Sequence, residues 1–410
     1  MALPSDLFDV VVVGGGIIGS CTAYHAQKAG LKTLLIEKYS LGHSRGSSAG
    51  KSRIIRYAHT EPEYLPLVKE SFEQIADMEK QREEKLWTKC GLLWLGKKKE
   101  MEDISQILTN FECENEVLSS EEVTRRYPQF HYGPEWAGLV DPMGGIIHAH
   151  KWLRAFHDEF QRIGGHTAEN WTVFPRPTWR ESNNETSLMV GETSGWNRDH
   201  SSFTGTTTFV RAKKVVFAVG TWINKLIPGF PVESRNELIT VAYWRPKNAA
   251  DDHLVNPDKY PAVIINTDGI GYYSLPSCDY NGAVKFAYHE GEVYADADAN
   301  IENMSKKYID MTRRHLQKHL PLFETENGPW KVDRCKYAMS PDHSYVIDRV
   351  PGTKNMWMAG CMSGTGFKNG PAIGRALTQT MKGERPCVDL APFSLARFSA
   401  EKTKTNNSKL

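Results

Sequence analysis

Three glycines near the start of the chain carry its first chemical signal. Gly14, Gly16 and Gly19 form a G-x-G-x-x-G pattern after a short apolar run and at the start of a helical pattern. There the first glycine permits a tight turn, the second lets backbone approach a pyrophosphate, and the third lets helix and strand pack closely. Phosphates then meet free N–H groups and the positive end of a helix dipole. Ile17 and Ile18 sit inside the turn, and Glu37 and Lys38 close the second apolar run. A carboxylate at Glu37 accepts hydrogen bonds from a ribose 2′-hydroxyl and disfavours a 2′-phosphate. The spacing predicts a site for FAD or NAD rather than NADP. A second glycine-rich stretch, Gly46-Ser47-Ser48-Ala49-Gly50-Lys51-Ser52, imitates a P-loop, but its spacing is one residue short and Arg45 stands where the first glycine belongs. No apolar strand precedes it, so an NTPase is rejected.

The seven cysteines, at 21, 90, 113, 278, 335, 361 and 387, show neither CxxC nor Cys/His spacing. No disulfide framework and no metal site is predicted, and a reducing compartment with one or two functional thiols is expected. A net charge of +1 argues against nucleic-acid or membrane partners recruited by bulk electrostatics, and leaves room for a local basic pocket. No apolar run approaches a membrane span, and Asp6 and Asp9 stand where a secretory signal would be basic. Ser408-Lys409-Leu410 reads as a peroxisomal address for an import receptor, carried on a polar tail over 396–410.

These residues need elements to position them. A buried parallel strand is expected over 8–13, a helix over 17–29 with Gly30 past its end, and a strand over 31–36. Residues 40–56 read as an ordered loop, 63–85 and 150–163 as helices, and 92–95 as a strand. The stretch 96–145 reads as a charge-rich helix at 119–126 among turns. Residues 180–206 read as a hairpin or exposed excursion. A strand over 214–219 ends at Gly220. Aromatic, alternating runs within 236–289 predict an antiparallel sheet. A helix over 303–319, strands at 345–348 and 356–359, and a helix after 369 complete the pattern. The fold class is α/β (α+β overall), with a discontinuous Rossmann-type nucleotide domain (1–90, 146–225 and 330–395). A β-rich substrate domain (91–145 and 226–329) is inserted in pieces.

The segment Gly46 to Arg56 closely resembles the monomeric sarcosine oxidase family. Further matches follow in the same order, at 215–222, 271–277, 285–289, 335–348 and 364–368. The resemblance spans residues 8–395. It implies an FAD enzyme of two domains, a monomer, with covalent flavin and oxygen as electron acceptor. By resemblance, Cys335 is the covalent FAD attachment point. Taken alone it is one of seven thiols, with Arg334 and Lys336 beside it to favour a thiolate. Arg56 and Lys368 match the pair that binds a substrate carboxylate, which suits an Arg fork and a Lys point charge. Lys285 matches the oxygen-activating lysine, although alone it reads as solvent-facing, opposite Val284 and Phe286. Arg53 matches the arginine beside the flavin ring, and Ser52 a small hydroxyl residue there. Tyr273, Tyr337 and His289 match the amine pocket. His289 either biases the amine toward its neutral form or makes a structural hydrogen bond. Ser44, Ser47, Gly220, Trp222, Gly364, Gly366 and Phe367 join the expected cofactor contacts.

The resemblance therefore implies oxidation of a secondary amino acid, such as sarcosine or L-pipecolate, to an imine and H2O2. Alternatives are a flavin-dependent amino-acid dehydrogenase and a flavin-binding protein with decayed activity. Three residues depart from the family. Met362 replaces an aromatic residue over the substrate, Thr365 a histidine, and Cys361 a glycine. The substrate is therefore less defined than the cofactor.

Overall fold

The computed structural model describes residues 3, 6–182, 184–197, 200–267, 270–299, 301 and 304–398, so Ser408-Lys409-Leu410 lies outside it. Valines dominate the first strand, β1 (Leu7–Val13), and Val10, Val11 and Val12 are fully buried. A strand buried on both faces must lie inside a parallel sheet with helices on either side. β1 pairs in parallel with β2 (Thr33–Glu37) and with the strand Thr207–Phe217. The sheet widens to nine strands. Met356–Gly360 joins Thr207–Phe217 in parallel, and His166–Glu169 joins β2. Thr186–Glu192 joins antiparallel, so the excursion over 180–206 becomes part of this sheet.

Helix α1 (Ile17–Lys28) ends at Ala29, and Gly30 at φ +82° turns the chain into β2. The last helix, Gly370–Lys382, lies against α1 so closely that a Cβ on Gly374 would sit 2.6 Å from the Cys21 carbonyl carbon.

A second nine-stranded sheet is built around Arg235–Trp244, Ala283–Tyr288 and Ile270–Tyr280, all antiparallel. Ala262–Thr267 pairs in parallel with Leu92–Lys97, which adds a parallel seam to the antiparallel sheet expected there. Between the large sheets sits a three-stranded one: β3 (Ser52–Ile55), Gly145–His148 and Trp87–Lys89.

Three expectations are corrected. Residues 40–56 are not loop throughout, because β3 pairs antiparallel with Gly145–His148, a partner too distant in sequence for local patterning to reveal. The nucleotide-domain segment 330–395 starts too early. Lys331–Met339 pairs along the whole of Arg235–Trp244, so Cys335 and Tyr337 belong to the second sheet. The stretch 96–145 also holds a second helix, Lys98–Asn110, with only Met101, Ile104 and Leu108 buried. Its single apolar stripe was masked by charge.

Burial of histidines makes stability depend on pH. Burial pushes His25 and His315 down to about 3, against the pull of the Gln74 hydrogen bond on His25. Between that value and about 6.5 the unfolded chain binds a proton that the folded chain does not, so stability falls as pH falls. The slope is about 1.4 kcal/mol per pH unit for each such histidine. Thermal unfolding should therefore show a lower Tm at pH 5 than at pH 7.5. His315→Asn, compared with wild type by scanning fluorimetry, should show a shallower dependence.

Candidate active site

The turn after β1 is shaped by backbone contact. Gly14 has φ +103°, and a Cβ there would lie 2.5 Å from the Ala218 carbonyl oxygen. A Cβ on Gly19 would meet the Gly14 carbonyl oxygen at 1.8 Å. Gly16 caps α1 without a side-chain hydrogen bond. The Ser48 hydroxyl instead accepts from the Ile17 N–H at 3.0 Å. Glu37, 5% exposed, accepts the N–H groups of Gly15 at 2.7 Å and Tyr39 at 2.8 Å. The carboxylate thus ties the turn to the end of β2. His157 Nε2 reaches the Ser20 hydroxyl at 2.5 Å and the Gly15 carbonyl at 3.0 Å, and supports the turn from below.

A cavity of about 250 Å³ opens over this turn. Its wall includes Gly14, Gly16, Ile17 and Ile18 from the turn and helix start, Glu37 and Lys38 from the end of β2, Ser47 from the adjoining loop and Arg53 from β3. Of the other expected cofactor contacts, Gly220, Trp222, Gly364, Gly366 and Phe367 line it, together with Tyr337 and Met362 from the expected substrate pocket, and Gly19 does not. Ser44 is exposed and off the wall, and Ser48 takes its place. Asp298, absent from the sequence-based set, also lines the cavity. It accepts from Lys38 Nζ at 2.5 Å, Lys225 Nζ at 2.6 Å and Trp222 Nε1 at 2.7 Å. These partners outweigh burial and hold its carboxyl well below the usual range.

Lys285, Ser52, Cys335, Tyr273, His289, Arg56 and Lys368 lie beyond this wall. Arg53 connects the two regions. Its guanidinium donates to the carbonyls of Ser47 at 2.9 Å and Ala49 at 2.5 Å, and approaches Cys335 Sγ at 3.8 Å. The cation beside Cys335 is therefore Arg53. Arg334 and Lys336, expected in that role, point away because side chains alternate along a strand. Arg334 donates to the Ile301 carbonyl, and Lys336 reaches the Ala297 carbonyl at 3.4 Å.

Lys285 is 5% exposed, not solvent-facing. It pairs with Asp279 Oδ2 at 2.6 Å and donates to the Ser52 hydroxyl at 2.6 Å. Asp279, also outside the sequence-based set, is a buried carboxylate in an aromatic run, and that oddity is the signal that would have found it.

Arg56 and Lys368 are 8% and 3% exposed. Lys368 donates to the Thr365 carbonyl at 3.0 Å, and the Arg56 guanidinium lies over the Trp94 ring at 4.6 Å. Arg56 Nη1 has no hydrogen-bond partner, and no carboxylate forms an ion pair with either residue among the described residues. Burial lowers Arg56 to about 10 and pushes Lys368 well below its usual value, with Arg56 adding repulsion. His59 stacks on Tyr64, is 4% exposed and leaves Nε2 unpaired. Burial and the two cations keep it neutral. His289 is held at about 4 by burial first and then by Arg56, and packs against Tyr337 at 5.3 Å. Gly364 fits beneath them, since a Cβ there would come within 2.6 Å of Tyr337 and 2.8 Å of His289. The loop around it is unusual: Cys361 and Ser363 have φ of +48° and +43°. A left-handed backbone at Cys361 is the geometry that glycine adopts most readily. The Thr365 hydroxyl is taken up by Tyr345 at 3.0 Å.

The glycine cradle, the carboxylate at Glu37 and the cavity over the helix start fit a dinucleotide cofactor. Residues 9–380 match the profile of the FAD dependent oxidoreductase family. The chain belongs to that family. A Caenorhabditis elegans protein named for sarcosine oxidase is 44% identical over 399 residues, covering 96% of this chain and 99% of the relative. The human peroxisomal sarcosine oxidase is 32% identical, with 97% and 98% covered. Among solved structures, the L-proline dehydrogenase of P. horikoshii shares the fold with a TM-score of 0.77 at 19% identity, covering 97% of this chain and 99% of that one. The protein is an FAD-dependent amine oxidoreductase. Gly14→Ala should strain the turn and fill the approach to Ala218. The variant is expected to purify with little flavin absorbance per protein, where wild type purifies yellow.

Proposed function

We propose that this chain oxidises a secondary amino acid, of the sarcosine or L-pipecolate kind, with oxygen as acceptor. The observation that carries the reading is the buried Arg56 and Lys368 pair, which forms no ion pair among the described residues, Asp141 and Glu61 acting on Arg56 only from longer range. Burial penalises the charged forms of both side chains, and a bound substrate carboxylate would favour the charged form of each. Arg56 donates from its free Nη1, and Trp94 holds the guanidinium plane in place. The relatives named for sarcosine oxidase act on an amine of this class.

FAD, which the Gly14–Gly19 turn and Glu37 would hold, would supply the two-electron acceptor for this oxidation. The amine loses two electrons and two protons as it becomes an imine, and oxygen gains the same on becoming hydrogen peroxide. The residues bias each state. Arg56 and Lys368 make a third positive charge expensive nearby, so the amine is held neutral and keeps its lone pair. His289, itself neutral above about pH 5, adds no further charge. Burial raises Tyr273 and Tyr337, so both hydroxyls stay protonated donors. Met362 gives the pocket a flexible apolar wall. Lys285 provides the cation beside which reduced oxygen carries negative charge. Cys335 is the proposed covalent tether, with Arg53 as the cation that favours its thiolate. Residence in the peroxisome, with delivery by an import receptor, fits the names of the human and mouse relatives and a peroxide-forming activity, and the chain is proposed to be a monomer.

A hydrogen peroxide assay across N-methyl and cyclic amino acids tests the substrate class. Arg56→Ala should raise KM for the best substrate at least about tenfold, the worth of a lost charge-assisted hydrogen bond. An unchanged KM would take Arg56 out of carboxylate binding. Acid precipitation should give a yellow pellet from wild type and a colourless one from Cys335→Ala. A colourless wild-type pellet removes the tether.

A further inference from the structure

Lys285 stands in Ala283–Tyr288, a strand whose six residues are all buried. An ammonium there needs all of its donors met, and an ammonium has three. They are met by Asp279 Oδ2 at 2.6 Å, the Ser52 hydroxyl at 2.6 Å and the Ser52 carbonyl at 3.3 Å. Asp279 comes from the neighbouring strand Ile270–Tyr280. The pairing of these two strands slips register between Leu275 and Tyr280. Such irregularities re-aim side chains beside active sites. Asp279 is then fixed from two sides. The Tyr243 hydroxyl donates to the same Oδ2 at 2.8 Å, and Lys51 Nζ holds the Asp279 carbonyl at 2.9 Å.

We infer that Asp279 is the positioning residue of the oxygen half-reaction, holding the Lys285 ammonium charged and aimed at Ser52. The inference rests on the reading of Lys285 as the cation used in oxygen reduction. A buried ammonium alone favours its neutral form, by up to about 3–5 pH units when fully buried. The other groups around the pair cannot hold that proton in place. Tyr243 already donates to Asp279, and the Cys278 thiol is pushed up to about 12 by burial. Arg53 and Tyr273 also lie within electrostatic reach of Asp279, one a cation and one a protonated hydroxyl. Among the described residues, Asp279 is the one carboxylate paired with Lys285.

The test separates flavin reduction from reoxidation by stopped flow on the holoenzyme, from pH 6 to pH 9. Wild-type reoxidation should be flat with pH. In Asp279→Asn it should fall at least about tenfold from pH 6 to pH 9, as the unpaired ammonium loses its proton, while reduction changes less than about threefold. Asp279→Glu should restore the flat profile. Thermal unfolding gives a readout without turnover. Asp279→Asn and Lys285→Met should each lower Tm by about 5 °C or more, and the double variant should recover more than half of that loss. A flat Asp279→Asn profile, or additive Tm losses, overturns the inference. Lys285→Met keeps the two readings apart. If it leaves reoxidation unchanged, the oxygen role of Lys285 fails. If it slows reoxidation and Asp279→Asn stays flat, only the role of Asp279 fails.

Discussion

The pairing of β3 with Gly145–His148 is the constraint on which the active site depends. That short ladder fixes which way each side chain from Ser52 to Ile55 can point, with Arg56 following directly after it. Ser52 receives Lys285, Arg53 gathers the carbonyls of the cofactor loop and approaches Cys335, and Arg56 reaches Trp94. Lys285, the cofactor loop and Arg56 are thus set by neighbours in one chain segment, as the roles proposed for them require. A one-residue slip would exchange their faces. Gly145 also lets Trp87–Lys89 pack tightly on the other edge of this strand, since a Cβ there would come within 2.3 Å of the Thr88 carbonyl oxygen.

Charge is managed in two ways within this frame. Asp298 collects Lys38 and Lys225 at the cofactor cavity, and Asp279 matches Lys285. At those places the protein supplies its own counter-ion and the geometry persists without a ligand. Arg56 and Lys368 form no such ion pair among the described residues, Asp141 acting on Arg56 only from longer range, and His59 beside them is held toward its neutral form. Leaving buried cations unpaired is destabilising, and the surrounding fold sustains that cost. The difference distinguishes a site built to hold its cations in place from one built to be completed by an anion.

The β1–α1–β2 unit was legible because its determinants are local: glycine spacing, a valine run and a carboxylate at a fixed distance. The aromatic strands within 236–289 were legible by alternation. What escaped depends on distant pairing. β3 hid inside a glycine- and serine-rich stretch because its partner strand lies far along the chain. Lys331–Met339 looked like a return to the first sheet and instead pairs with Arg235–Trp244. The same blindness put Arg334 and Lys336 beside Cys335, since adjacency in sequence is opposition in a strand. Asp279 and Asp298 were missed because a carboxylate reads as surface until its cationic partners, which come from other elements, are known.

The segment from Cys361 to Gly364 bears on substrate choice through its backbone. Two non-glycine residues with positive φ in one short loop cost on the order of 1–3 kcal/mol each, and such strain persists only where surrounding contacts enforce it. Here Ser363 is enforced by hydrogen bonds, its hydroxyl donating to the Ser344 carbonyl at 3.3 Å and accepting the Ser340 N–H at 3.2 Å. Gly364 is confined by Tyr337 and His289. The loop therefore has little freedom to move when a larger amine enters. Adaptation falls to Met362, whose unbranched side chain repacks where an aromatic ring would not. On the role proposed for Met362, substrate breadth would depend on one flexible wall set in a rigid loop.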